Sequence, residues 1–306
     1  MGADSVASIL LLGADGQVAR AARQDLASRG YDVIGTTRRA SGKDKGQLFL
    51  DFSRPPEEWP ELPDVNAAVI CTAITGIRDC EADPAGTSIV NLQAPVALAE
   101  MLCRQGIFAL FLSSAGVFDF QKSFRRHDER PSPITNYGRQ KAEAEEKILG
   151  LDGKTAVLRL TKVMGPDMPL INSWSGALGA GQRITAFHDT MIAPITPEFT
   201  SRMIHEIVHS QEEGIFHASG DEDVPYTELA GRLVAAIGAD AELVTPVKGD
   251  MPGHPAGYPH RYTTLDMSRE TELFGIEPPS VRDTIDGVVS RIACKFPSET
   301  GREESS

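Results

Sequence analysis

Ser8-Ile9-Leu10-Leu11-Leu12 is a continuous apolar run of strand length, and Gly13-Ala14-Asp15-Gly16-Gln17-Val18-Ala19 follows it at once. A helical pattern comes next, with Ala22, Leu26 and Ala27 on one face and an end near Gly30; Tyr31-Asp32-Val33-Ile34-Gly35-Thr36 then reads as a second strand. Strand, glycine-rich turn, helix, strand is the first unit of a dinucleotide-binding domain. The glycines let the backbone turn tightly and approach a pyrophosphate, and the helix N-terminus offers free N–H groups and the positive end of its dipole. Gly13, Asp15, Gly16, Gln17 and Val18 are therefore expected to form the cofactor loop. The third glycine of the usual pattern is Ala19 here, still small enough for close helix–strand packing.

The end of the second strand selects the cofactor. An NAD site places an acid there to hold the ribose 2′-hydroxyl. This chain has Thr36-Thr37-Arg38-Arg39 and no acid. Two guanidiniums suit a 2′-phosphate through paired, charge-assisted hydrogen bonds, so Arg38 and Arg39 predict NADP(H). The competing reading is two solvated surface arginines.

Further along, apolar runs alternate with helical patterns. Residues 66–71, 107–113 and 155–160 read as strands, and 87–105 and 136–149 as helices. This alternation predicts an α/β fold with a Rossmann-type, doubly wound parallel sheet. After Leu160 the rhythm loosens. Helices are expected over 170–180, 197–209 and 226–237, and short strands over 183–187, 192–195 and 214–218. The Pro- and Gly-rich stretch 247–262 reads as a long irregular loop. These features predict an NADP-binding domain over 1–160, with later returns near 190–218. A smaller, discontinuous C-terminal substrate-binding lobe is expected over 161–189 and 219–296, and a disordered polar tail over 297–306.

Tyr137 and Lys141 stand four apart within the helical pattern, which places both side chains on one face. A free phenol titrates near ~10. A neighbouring ammonium lowers that value and suits the phenol to pass a proton to or from a carbonyl or alcohol oxygen. The pattern alone is weak; its setting in a dinucleotide-binding chain gives it weight.

Composition excludes several classes. A net charge of −13 argues against nucleic acid and anionic membranes as partners. No apolar stretch approaches the ~20 residues of a membrane span, and the first residues lack the pattern of a signal peptide. Cys71, Cys80, Cys103 and Cys294 form no CxxC pair, which suggests reduced, mostly buried thiols of a cytoplasmic protein. The seven histidines read as scattered, so no metal site is expected. Ser113-Ser114 is not in a Gly-x-Ser-x-Gly elbow, which argues against a hydrolase. Asp128 and Glu129 form a carboxylate pair better read as a solvated loop.

Taken together, these residues resemble the extended short-chain dehydrogenase/reductase family, most closely its dTDP-4-dehydrorhamnose reductase-like branch, over nearly the whole chain. The motifs are Gly13-x-x-Gly16-Gln17-Val18, the helix Asn91-Leu92-Gln93-Ala94-Pro95, the strand end Leu112 to Asp119, and Tyr137-x-x-x-Lys141. The resemblance implies that Asp51 and Phe52 stand near the adenine and that Cys71-Thr72-Ala73 forms a small-residue turn under the cofactor. Counting back from Val117-Phe118-Asp119, it places the catalytic hydroxyl on Ser114. It further implies that Ser114 and Tyr137 bind a substrate carbonyl and that Lys141 also holds the nicotinamide ribose. Asn91 would support a water chain. Lys162, Arg183, His254, His260 and Arg261 are candidate cations for a nucleoside diphosphate.

The implied activity is reduction of a ketone on a nucleotide-linked sugar, of the 4-keto-6-deoxy type, by NADP(H). The family commonly forms homodimers. The chain departs from the branch at Ala19, at Ala115-Gly116 (where the rhamnose enzymes carry Asp-Tyr) and at Tyr262 to Asp266, which leaves the sugar open. Three alternatives stay open. A sugar-nucleotide epimerase would retain NAD, against Arg38-Arg39. A dehydratase would carry an acidic pair after Ser114. A non-catalytic NADP-binding regulatory subunit would not need the Ser-Tyr-Lys set.

Overall fold

The computed structural model describes residues 7–39, 47–165, 167–249 and 260–294. The predicted tail over 297–306, His254 and most of the loop expected over 247–262 lie outside the described residues. The main sheet has seven parallel strands: β1 (Ser8–Leu12), β2 (Asp32–Thr37), β3 (Gln47–Phe49), β4 (Ala67–Ile70), β5 (Phe108–Ser114), β6 (Thr155–Leu160) and, after β7 (Ile184–Phe187) and β8 (Met191–Ile192), β9 (Gly214–Ala218). Their order is β3-β2-β1-β4-β5-β6-β9. This is the predicted doubly wound α/β architecture. The order reverses between β1 and β4, and in such sheets ligands bind outside the strand carboxyl ends at that switch point.

Both faces of the sheet are covered, which is why its central strands read as unbroken apolar runs. Alternate residues go to opposite sides. Ile9, Leu11, Val69, Leu110, Leu158 and Phe216 meet α1 (Gln17–Ser28) and α7 (Pro197–Ser210). Leu10, Leu12, Ile70, Phe111 and Val157 meet α4 (Ala94–Arg104) and α5 (Asn136–Leu149). Ala19 and Ala22 are fully buried on α1, so small residues there bring the helix close.

The helix expected over 87–105 is broken. It runs as α3 (Pro84–Ser88), a π-helical turn over Ile89–Gln93, and then α4; α2 (Ile77–Ala82) precedes them. Pro95 explains the break: its ring has no N–H and crowds the carbonyl four residues back, at Asn91. Asn91 is thereby displaced from the regular ladder, and it is completely buried.

Beyond β6 a further apolar core forms from α6 (Pro169–Gly179), α8 (Tyr226–Ile237) and α10 (Val281–Ala293), with Trp174, Leu233 and Ile285 at its centre. Two small pairs flank it: β7 with β11 (Val244–Val247), and β8 with β10 (Val224–Pro225). The strand expected over 192–195 shrinks to Met191–Ile192, while Ile195 makes a single bridge to Val163. Helix α9 (Ser268–Phe274) lies beside the β9 edge and completes the described elements.

Candidate active site

The glycine-rich turn leaves β1 at Gly13, whose φ of +88° and closeness to Thr72 both require the missing side chain; a Cβ would run into the Thr72 hydroxyl. Gly13 N–H donates to Thr36 Oγ1 (2.9 Å), and Thr72 Oγ1 donates to the Leu12 carbonyl (3.3 Å). Thr72 and Ala73 thus sit beside the turn at the end of β4. Gln17 reaches from the first turn of α1 to the Val163 carbonyl at 3.2 Å and ties the loop to the segment after β6. Val18 is half-buried against the α1 side of the core.

At the end of β2, Asp15 accepts a hydrogen bond from Thr37 Oγ1 (2.9 Å) and lies 3.8 Å from Arg39 Nε. Arg38 and Arg39 are exposed. A cleft of about 610 Å³ opens here, lined by Asp15, Arg20, Arg23, Thr37 and Arg39 among others. Arg20 and Arg23 were not anticipated; their three-residue spacing on the first turns of α1 was the available signal. Asp51 accepts from Ser53 N (3.0 Å) and Oγ (2.7 Å), which holds its carboxyl below the usual range. The Phe52 ring turns into the core against Trp59, so its side chain is a packing element.

Ser113 and Ser114 end β5 with different fates. Ser113 is 4% exposed and its hydroxyl has no partner. Ser114 Oγ accepts from Gly116 N at 3.1 Å and stands with the Tyr137 ring around Gly116, 3.3 and 3.5 Å from where a Cβ there would lie. The hydroxyl that meets Tyr137 is therefore that of Ser114. Helix α5 starts at Thr135, whose Oγ1 accepts from Gly138 N at 3.0 Å. Gly138 admits the close approach of helix to turn, since a Cβ there would strike the Gly116 carbonyl. Lys141 is 1% exposed; its Nζ donates to the Leu112 carbonyl (2.7 Å) and lies 4.2 Å from the centre of the Phe111 ring.

The electrostatics differ from the expectation drawn from spacing. Burial pushes the Tyr137 phenol up to about 12, opposed by the Ser114 hydrogen bond; no lowering by Lys141 is found. The reason lies on the lysine. Its own burial draws it down to about 7, against the pull of Glu145, so its charge near neutrality is only partial.

Asn91 links three elements. It accepts from Ile74 N (2.7 Å) and donates to Ile74 O (3.0 Å) and Gln140 Oε1 (2.8 Å). Gln140 in turn donates to Thr87 Oγ1 (2.9 Å) and Pro84 O (3.0 Å). The loop after β4 is so pinned to α5 next to Lys141. Sequence reasoning missed Gln140; its place on the buried face of an otherwise polar helix was the signal.

Among the remaining candidates, Lys162 is exposed at the end of β6, and Arg261 is exposed. Arg183 donates to the Glu242 carbonyl at 2.6 Å, and His260 stacks on Phe120 with ring centres 3.9 Å apart. Glu129 is ion-paired with Lys122 and Arg125 and held down to about 2, chiefly by the Lys122 hydrogen bond, so it stays ionised. The four cysteines are free thiols, but they are not mostly buried as expected: Cys80 is buried, Cys71 and Cys103 are half-buried and Cys294 is exposed.

The expectation that the histidines show no ligand spacing is corrected by one helix. His205-Glu206-Ile207-Val208-His209 has the H-E-x-x-H order of a zinc-protease helix. On α7 the two rings stack with centres 5.5 Å apart; His205 contacts Glu206 and His209 contacts the Tyr31 hydroxyl. Among the described residues no group of three or more ligands is placed to hold a metal ion.

Comparison with known proteins agrees with this layout. A Haloferax volcanii protein named as a probable low-salt glycan biosynthesis reductase, Agl14, is 26% identical over 285 residues, covering 89% of this chain and 94% of that one. Methionine adenosyltransferase 2 subunit beta of Xenopus laevis is 25% identical over 258 residues, covering 80% of this chain and 76% of its own. The Bacillus anthracis dTDP-4-dehydrorhamnose reductase, solved in complex with NADP, superposes with a TM-score of 0.79 at 19% identity, covering 92% of this chain and 98% of that one. The profile of the RmlD substrate binding domain matches residues 7–294, and the chain belongs to that family, in the sugar-nucleotide reductase-like branch of the extended short-chain dehydrogenases/reductases.

Proposed function

We propose that this protein is an NADP(H)-dependent reductase that adds hydride to a ketone on a nucleotide-linked sugar, of the 4-keto-6-deoxy type, with Tyr137 as proton donor. The observation that carries this reading is the convergence of Ser114, Tyr137 and Lys141 at the end of β5, beside the switch point of the sheet. The residues fit the cofactor. The Gly13 turn has room only for backbone against Thr72, and Arg39, Arg20 and Arg23 line the cleft where a 2′-phosphate would lie, with Arg38 next to Arg39 in the chain. Gly13, Asp15, Gly16, Gln17 and Val18 would hold the pyrophosphate side, with Asp51, Phe52, Thr72 and Ala73 flanking the nucleotide. NADPH supplies the hydride when bound.

The chain's own groups handle the oxygen. Ser114 donates to the carbonyl oxygen and stabilises the charge that develops there; Tyr137 gives its proton to that oxygen. A phenol held up to about 12 keeps its proton until such charge appears. A protonated Lys141 then steadies the phenolate left behind. We place cofactor binding in residues 1–160 with returns near 190–218, and sugar binding in 161–189 and 219–296. Lys162, His260 and Arg261 are the cations nearest to hand for a diphosphate. The expected setting is cytoplasmic, with a possible homodimer as the assembled form; among the described residues no helix is long and apolar enough to cross a membrane.

The test is NADPH oxidation against a panel of nucleotide-linked 4-keto sugars. Tyr137→Phe should lower turnover by about 10²- to 10⁴-fold while NADPH affinity stays within a few-fold. A second reading has one specific support, the likeness to a subunit named as methionine adenosyltransferase 2 beta. Tight NADPH binding without turnover on any ketone would favour the reading of this chain as a non-catalytic regulatory subunit. Preference for NADH would revive the epimerase or dehydratase reading.

A further inference from the structure

Helix α5 buries a polar column at four-residue steps. Tyr137, Lys141 and Glu145 succeed one another on a single face, with Lys141 1% and Glu145 2% exposed. From β6, Arg159 grips Glu145: its Nε lies 3.1 Å from each carboxylate oxygen and its Nη2 lies 2.7 Å from Oε2. The guanidinium rests 5.0 Å from the centre of the Phe118 ring. Such a pair is a poor source of stability, because desolvation offsets most of its attraction and apolar side chains of similar volume often serve the fold as well. Its use lies with its neighbour.

Among the described residues, the groups facing Lys141 are few. Tyr137 and Glu145 share its helix. Cys71, at the end of β4, is a neutral thiol that burial pushes up to about 12. Cys80, on α2, is raised by burial and faces Tyr137. The Leu112 carbonyl and the Phe111 ring come from β5, and Arg159 from β6 stands behind Glu145. Of these groups only Glu145 is an anion. Burial alone would strip the proton from Lys141, and a neutral amine cannot steady a phenolate.

We propose that Glu145, gripped by Arg159, is the positioning residue that holds a proton on Lys141. This rests on the reading of Lys141 as the partner of Tyr137. The Glu145 charge opposes the burial that draws Lys141 down to about 7.

The test follows Lys141 directly. In full-length chain labelled with ¹³Cε-lysine, the Lys141 resonance, assigned with Lys141→Met, is titrated against pH by NMR. Glu145→Gln should lower its midpoint by about one pH unit or more, a tenfold change in protonation ratio. Because that variant strands Arg159, the deciding protein is the double variant Glu145→Leu/Arg159→Met, which removes both charges and keeps the volume apolar. A midpoint still lowered by about one unit supports the proposal. In the reductase assay, the pH above which turnover declines should move down by the same amount. A midpoint equal to wild type in the double variant overturns it, since the pair would then be silent at Lys141. Failure of the wild type to reduce any ketone would sink the reductase reading and leave the NMR midpoint to judge this one.

Discussion

Arg38 and Arg39 are the residues to which we assign the proposed preference for NADPH. Both stand exposed where the second strand ends, and Asp15 accepts a hydrogen bond from Thr37 and lies 3.8 Å from Arg39. A charge-assisted hydrogen bond contributes about 1.5–3 kcal/mol. Arg38→Ala/Arg39→Ala should therefore weaken NADPH binding by roughly ten- to a hundredfold and leave NADH within a few-fold. Fluorescence titration of both cofactors checks this; equal losses for the two would show that the arginines do not read the 2′-phosphate. At the same scale, the choice between Ser113 and Ser114 was legible only through the motif around Val117. Strand alternation explains the result, since neighbouring side chains must go to opposite faces.

Among elements, the segment from His260 to Asp266 is tied down from two sides outside the sheet. The Asp223 carboxylate accepts four hydrogen bonds from it: from Thr263 N (2.6 Å), Thr263 Oγ1 (2.9 Å), Thr264 N (3.2 Å) and Thr264 Oγ1 (2.7 Å). The same segment clasps the loop that leaves the Ser114 turn, through Phe124 N to Thr264 Oγ1 (3.1 Å) and Tyr262 N to Phe120 O (3.1 Å). Phe120 and Phe124 hold positive φ values of 59° and 50° inside this clasp, a strained conformation that its surroundings must enforce. Asp223→Ala should free the segment. The expected outcome is a rise in sugar-substrate KM of about tenfold, near the 1.4 kcal/mol that separates decades of affinity, with NADPH affinity unchanged. Equal loss of cofactor and substrate binding would mean that Asp223 serves the fold as a whole. Nothing in the local sequence announces this clamp, because Asp223 and Thr263 are joined only by tertiary contact.

For the whole molecule, the buried edge of the sheet sets a pH dependence of stability. Glu270 is 0% exposed, accepts from His217 N at 2.8 Å and leaves Oε2 without a partner. Burial raises it from 4.5 to about 7. The folded chain therefore keeps this proton where the unfolded chain has released it. The stability from this group is full below about 4.5 and is lost as pH rises through about 7. Glu270→Gln stays neutral throughout. It should match wild type at pH 4.5 and exceed it by roughly 2–3 kcal/mol at pH 8, read by urea unfolding at both pH values. A difference that does not change with pH would refute the assignment. His217 works in the opposite sense, since burial and Arg159 lower it to about 3, but it is common to both proteins and cancels.

What the sequence determined by itself is local and periodic. The strand–turn–helix order at Ser8 to Thr37, the helix Asn136–Leu149 and the four-residue step from Tyr137 to Lys141 all follow from patterns within a few turns of chain. The tertiary structure decided what depends on distant partners and on burial. It joined Asn91 to Gln140, set Arg159 against Glu145, gathered Arg20 and Arg23 beside Arg39, and raised the Tyr137 phenol where spacing alone suggested it would fall. Periodicity assigns a side chain to a face of its own element. The dielectric around that side chain, and the charge standing opposite, come from segments that meet only when the chain is folded.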